Sequence, residues 1–470
     1  MIKITGRRIV AAMLAALGMC SGLAMAASAT VRLDYQHGGN AKSEHYAMER
    51  VVIEPLPWPG NPKKAIDDTD RGNNKFEVRD AATGALLYSR GFSTVFAEWQ
   101  STDEAAQLDR SFQESLRFPK PEKPVKVSVL KRDAENRFVP VWSVQVDTDA
   151  QGVIRKQPDS GLKPIKVHYS GPSEEKVDLL ILGDGYTAAE MQKFEADAKR
   201  LTEHLFSVAP FKQRANDFNV WALAVPTPES GISRPSTGVY HASALGSSYD
   251  IFGSERYVLT LDNAALRGIA QNAPYEFIEI LVNNKTYGGG GIFGQFSTAA
   301  AGSDWSNYLF VHEFGHHFAG LADEYYTSPV AYQSTGEFKE PWEPNATALK
   351  DPSRLKWKKY VNASTPLPTP WPKQVYDDAS RAYQKKRAEL RAQNRPESEM
   401  NELFTKDLAR STALLNSAKH RHDVGAFEGA NYESTGYFRP EMQCIMFDRS
   451  EKFCHVCHDA IINIIDLYSR

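Results

Sequence analysis

Between Val177 and Leu182 the chain reads VDLLIL, and it then meets Gly183-Asp184-Gly185. A run of that character belongs to a strand buried in a sheet, which commits this part of the chain to a layered fold. Thr187 and Glu190 follow at the spacing of a helix capping box, so Ala188 to Phe206 reads as the next helix. Phe218 to Val225 and Phe277 to Val282 are further buried-strand candidates. The order strand, helix, strand, strand predicts an α/β domain over a mixed sheet, spanning residues 166–470.

Residues 27–165 follow a different pattern. Short alternating segments run from Met48 to Glu54, Lys75 to Arg79, Ala85 to Ser89, Val125 to Lys131 and Val139 to Asp147. Turn-forming clusters such as Pro57-Trp58-Pro59-Gly60 separate them, and together they predict a β-rich, sandwich-like accessory domain. A chain of 470 residues also exceeds the size at which a single core stops growing. His37 and His45 stand alone here, and an isolated histidine is more often structural than a ligand. Asp377 to Arg421 is highly charged and broken at Asn394-Arg395-Pro396, and reads as two helices forming a solvated insertion in the second domain.

Lys3, Arg7 and Arg8 precede a short apolar run, Ile9 to Leu17, and Ala24-Met25-Ala26 offers a small-x-small cleavage site. Residues 1–26 therefore read as a signal peptide. Loss of its three cations takes the formal net charge from −3 to about −6. No later stretch is apolar enough to span a bilayer, so the mature chain is expected to be soluble and either periplasmic or secreted. No basic block marks a nucleic-acid surface. Beyond the leader the cysteines are Cys444, Cys454 and Cys457, two of which are expected to pair in an oxidising compartment.

The chemistry is carried by Val311 to Tyr326, VHEFGHHFAGLADEYY. His312 and His316 are four apart, so on a helix both imidazoles leave the same face one turn apart. Two such rings can hold one zinc ion, with Glu313 beside its open position, placed to take a proton from water and return it to a leaving amine. Gly320 can close the helix in a left-handed conformation and turn the chain back, which makes Asp323 a candidate third ligand. Glu324 is its nearest competitor. His317 is rotated about 100° from His316 around the helix, the position of a wall or packing residue. The stretch predicts one catalytic Zn2+ on His312 and His316, with Asp323 as its candidate third ligand, and hydrolysis of peptide bonds in a protein or peptide substrate.

The string HEFGHHFAGLADEY resembles the signature of the IgA-peptidase family of bacterial metallopeptidases, metallopeptidase family sixty-four, in the metzincin group. The likeness extends to Gly183-Asp184-Gly185-Tyr186-Thr187, to Gly91-Phe92-Ser93-Thr94-Val95-Phe96 and Phe118-Pro119, and to Tyr437, Arg439-Pro440 and Cys444-Ile445-Met446. It implies a metzincin-like zinc peptidase domain with an active-site helix, Met446 in a turn beneath the metal, and Tyr437 as a candidate to support the oxyanion. Ala319 departs from the common metzincin pattern, which has glycine there, so Gly320 and Asp323 fall one residue late. The IgA-peptidase-type signature shares that longer spacing. The family name invites immunoglobulin as substrate, but other glycoproteins fit equally, because specificity resides in loops and pocket shapes.

Two other patterns are weaker. Cys454-His455-Val456-Cys457-His458 matches a haem-attachment motif, or a small zinc site, but it lies at the chain end with no room for a cytochrome domain; a disulfide to Cys444 is the simpler reading. Gly289-x-Gly291-x-x-Gly294 matches a dinucleotide fingerprint without the following helix, and reads instead as a substrate-facing loop or a plain turn. Rival functions at this level are a metal-containing binding or adhesin module and a zinc amidase.

Overall fold

The computed structural model describes residues 28–328 and 338–469; the leader, residues 1–26, lies outside them. The N-terminal region comprises Ala29–Asn40 (β1), Ser43–Pro57 (β2), Asn74–Asp80 (β3), Leu86–Phe92 (β4), Val95–Gln100 (α1), Arg110–Pro119 (β5), Val125–Arg132 (β6), Phe138–Val146 (β7) and Ile154–Arg155 (β8). The strands form two four-stranded sheets, ordered β5-β1-β2-β8 and β4-β3-β6-β7. Alternate residues of each face a common core, with Val31, Leu33 and Tyr35 opposing Phe76, Val78, Val127 and Val129. Strands β1 and β5 escape the sequence reading because their outward positions are polar yet buried. Arg32 bridges Asp34 and Glu54, Arg117 bridges Glu54, and Arg117 also donates to the Tyr275 carbonyl at 2.8 Å.

The rest of the chain opens with Ile165–His168 (β9), Val177–Asp184 (β10), Met191–Leu205 (α2), Phe218–Ala224 (β11), Asn263–Ala270 (α3), Phe277–Val282 (β12), Gly289–Ile292 (β13), Phe296–Ala300 (β14) and Ser306–Ala319 (α4). The sheet order is β13-β14-β12-β10-β11-β9. Its four inner strands are parallel and both edge strands antiparallel, so the sheet is mixed. Every residue of β10 is buried, as the apolar run requires. Thr187 and Glu190 form the anticipated capping box ahead of α2, and Glu190 also accepts from Ser230 and Asn283, tying the helix start to the loops beyond β11 and β12. Gly185, at φ +75, lies so close to Gly231 that an added Cβ would stand 2.5 Å from its carbonyl oxygen.

The C-terminal part adds Lys373–Ala392 (α5), Glu397–Ser417 (α6), Phe427–Ala430 (β15), Glu433–Arg439 (β16) and His455–Tyr468 (α7). Helices α5 and α6 form the hairpin expected from the charged segment, but it is more than a solvated decoration. Tyr376, Tyr383, Leu390, Met400 and Phe404 are buried in the main core, and Arg387 pairs with Glu255 at 2.6 Å. The same core takes in Val95, Phe96, Trp99 and Phe112 from the N-terminal region. No helix among the described residues is long and apolar enough to cross a membrane.

Candidate active site

Helix α4 is buried almost throughout and packs on β13 and β14. It stops at Gly320, whose left-handed backbone (φ 60, ψ 42) lets its N–H return to the carbonyls of Gly315 and His316. The reversed chain then places the Leu321 carbonyl 2.6 Å from His316 Nδ1, and the Ile445 carbonyl lies 2.9 Å from His312 Nδ1. In its neutral form, with Nδ1–H donating to a carbonyl, each ring presents a bare Nε2.

Those two Nε2 atoms are 3.3 Å apart. Asp323 Oδ1 stands 3.1 Å from that of His312 and 3.3 Å from that of His316. Three ligands at about 2.0–2.1 Å from a tetrahedral ion would be separated by about 3.3–3.4 Å. Asp323 Oδ1 is buried without a hydrogen-bond partner, while Oδ2 accepts from the Tyr432 hydroxyl. A carboxylate with one oxygen tied by a phenol and the other aimed at two bare imidazole nitrogens is built to meet a cation.

The electrostatics agree. Burial disfavours a charged His316, yet the Asp323 carboxylate beside it wins and pushes the imidazole up to about 9. Burial likewise opposes ionisation of Asp323, and His316 and His312 outweigh it, holding the carboxyl well below its usual range. Burial raises the Glu313 carboxyl against the pull of His312 and His316. Positive charge is wanted at this spot.

Glu313 is positioned by glycine. An added Cβ at Gly289 would lie 2.9 Å from Glu313 Cγ, and one at Gly291 would lie 2.4 Å from the Glu313 carbonyl oxygen and 2.9 Å from His316 Cβ. The glycine-rich segment is therefore neither a nucleotide loop nor a plain turn: β13 is an edge strand whose missing side chains let α4 come into backbone contact. At Gly289 its outer edge is already taken, by hydrogen bonds with Arg256 and Val258.

Other residues of the motif separate cleanly. His317 faces the sheet, accepting from the Ile278 N–H at 3.1 Å and bonding the Ile292 carbonyl at 3.1 Å. Glu324 points away from the histidines, toward the cysteines. Met446 packs beneath α4, its sulfur 3.1 Å from where a Cβ on Gly315 would be. Tyr437 lies on the cleft wall, edge-on to Phe338. The disulfide expected between two cysteines is not formed, since all three thiols are free and buried. Cys457 and Cys454 Sγ lie 3.3 and 3.8 Å from Glu324 Oε1, and Cys444 Sγ is 3.8 Å from Cys457 Sγ.

Sequence reasoning missed Tyr432, Tyr325 and Arg256. Tyr432 reaches Asp323 because the turn between β15 and β16 docks on the segment after α4, where Asn431 N–H donates to the Asp323 carbonyl at 2.9 Å. Asn431 and Tyr432 both have positive φ, a tight-turn feature that Asn alone hints at in sequence. Tyr325 accepts from Arg256 at 3.1 Å, and nothing local announces that pair. All three line a cleft of about 640 Å³ together with Glu313, His312 and His316, and Ser93, Ala97, Glu98 and Ser101 of the N-terminal region contribute to the same lining.

Residues 165–465 match the family model described as IgA Peptidase M64, and residues 24–143 match the one described as Peptidase M64 N-terminus. Comparison with curated proteins returns no match. With matches over most of its length, the chain belongs to the IgA Peptidase M64 family and is a peptidase.

Proposed function

We propose that the protein is an exported, zinc-dependent endopeptidase of metzincin-like build, with His312, His316 and Asp323 as metal ligands and Glu313 as general base and acid. The observation that carries this reading is the triangle of two bare Nε2 atoms and an unpartnered Asp323 Oδ1, with edges of 3.1, 3.3 and 3.3 Å. Zinc held there would supply Lewis acidity, lowering the pKa of a water and polarising the scissile carbonyl. Glu313 takes the proton of the attacking water and delivers it to the amide nitrogen as the C–N bond breaks. The water's hydroxyl ends on the new carboxyl group and its proton on the new amine. A carboxyl raised by burial suits both halves of that transfer. The cleft of about 640 Å³ is lined by His312, Glu313 and His316 together with Ser101 and Tyr437, room of the size a peptide segment occupies. Immunoglobulin and other glycoproteins are the substrate candidates to screen.

Glu313→Gln should retain bound zinc in total-metal analysis and lose cleavage by at least about a hundredfold in peptide mapping of protein digests. Cleavage by the variant at the wild-type rate would remove Glu313 from the mechanism. Wild-type protein that binds zinc but cuts small amides and no peptide would transfer the reading to an amidase. Export rests on the leader, and the N-terminus of protein recovered outside the cytoplasm should begin near Ala27.

A further inference from the structure

Behind the histidine and aspartate triangle lies a second group of potential ligands. Cys444, Cys454, Cys457 and Glu324 are all buried, and one donor atom of each lies within 4.8 Å of the other three. Cys444 Sγ is 3.8 Å from Cys457 Sγ, while Glu324 Oε1 is 3.3 Å from Cys457 Sγ and 3.8 Å from Cys454 Sγ. A tetrahedral ion with sulfur at about 2.3 Å and oxygen at about 2.0 Å would separate its ligands by about 3.8 Å for S···S and about 3.5 Å for S···O. We propose that these four residues hold a second divalent cation, thiophilic and of the zinc class, with a structural role distinct from the cleft site.

The surroundings support the assignment independently. Cys454 and Cys457 sit at the N-terminus of α7 in a C-x-x-C turn, where Cys457 N–H donates to Cys454 Sγ at 3.4 Å and Cys454 N–H donates to Cys444 Sγ at 3.3 Å. Backbone donors to sulfur are what thiolates need. Glu324 is fully buried, its Oε2 lacks a hydrogen-bond partner, and Asn345 Nδ2 donates to Oε1 at 2.9 Å and to the Ala322 carbonyl, while Asn345 Oδ1 accepts from the Ala322 N–H. Three thiolates and a carboxylate around a dication leave two negative charges, and two buried guanidiniums lie within electrostatic reach of them, Arg439 of Glu324 and Arg71 of Cys457. A disulfide would consume two sulfurs and strand the third thiol beside a buried carboxylate; an ion uses all four donors.

The placement states the role. Glu324 follows Asp323 directly, and its N–H donates to the Met446 carbonyl at 2.8 Å. Cys444 lies one residue before Ile445, whose carbonyl orients His312. An ion here pins the segment carrying Asp323 to the turn carrying Ile445 and Met446, and both to α7.

The test uses the full mature chain with His312→Ala and His316→Ala together, which empties the cleft site and leaves the tetrad intact. Loaded with cobalt(II) chloride, this variant should bind one ion per chain and show the intense sulfur-to-cobalt charge-transfer absorption that a histidine and carboxylate site cannot give. The wild type should hold two ions, and Cys457→Ser should lose the thiolate band. The proposal is overturned if the double-histidine variant binds no ion, if its cobalt spectrum lacks the thiolate band, or if the intact mass of unreduced protein shows a disulfide. Because the cleft ligands are absent from that variant, the outcome stands apart from whether the cleft site is a peptidase centre.

Discussion

Asp323 divides its two oxygens between different tasks. Oδ2 takes the Tyr432 hydroxyl, which fixes the plane of the carboxylate, and Oδ1 is left to face His312 and His316. Tyr432→Phe removes that restraint without changing a candidate ligand. Zinc affinity should then fall about tenfold to a hundredfold, measured by competition against a chromophoric chelator, with little change in fold. An affinity equal to wild type would reduce Tyr432 to packing. The two histidines were legible from their spacing alone, because a helix brings positions four apart into register. Tyr432, distant along the chain, was not.

Among the elements, β13 shows most directly how local sequence serves the site. Its glycines read as a loop because no side chain remains to mark a strand, and their purpose exists only where α4 is pressed against them. Gly291→Ala forces a Cβ to within 2.4 Å of the Glu313 carbonyl oxygen. The helix must shift, and peptide cleavage should drop about a hundredfold, the scale of effect that small misplacements of catalytic groups produce. Wild-type kcat in that variant would show that the strand can yield. The start of α2 offers a titration test. Burial opposes charge on Glu190, but hydrogen bonds from Thr187, Asn283 and Ser230 outweigh it and lower the carboxyl from 4.5 to about 2. A carboxylate depressed on folding contributes stability above its unfolded pKa, and that contribution is lost as pH falls from about 4.5 toward 2. At this partly exposed position solvent screening limits it to about 1 kcal/mol. Glu190→Gln should therefore lower the melting temperature at pH 7 and differ less from wild type at pH 3; an equal deficit at both would refute the linkage.

At the scale of the whole molecule, the N-terminal region is built into the peptidase region. Phe96, Trp99 and Phe112 lie in the larger core, the Ser93 N–H donates to the Phe293 carbonyl at 2.8 Å, and Arg71 donates to the Ala319 carbonyl at 3.0 Å. Each of those aromatic side chains removes about 1.5–3 kcal/mol worth of apolar surface from water. A chain beginning at residue 166 should therefore be aggregation-prone and inactive, assayed by solubility and size-exclusion chromatography. A soluble, monomeric, active fragment would show that the shared core is dispensable. The same packing puts Ala97 and Glu98 of α1 in the lining of the cleft, so this region shapes what the cleft admits.

Sequence by itself determined what depends on neighbours along the chain: the buried strand β10, the capped helix after it, the helical pairing of His312 with His316, the reversal at Gly320 and the candidacy of Asp323. Each follows from a period, a cap or a left-handed turn, and these act over a few residues. Only the tertiary structure decided the rest. It chose Asp323 over Glu324 to face the histidines, turned His317 into the sheet, tied Asp323 to Tyr432, and drew three cysteines onto Glu324 where a disulfide had been expected. Those outcomes depend on which distant surfaces pack together, and burial then requires that every polar atom brought inside find a partner from whatever segment happens to arrive.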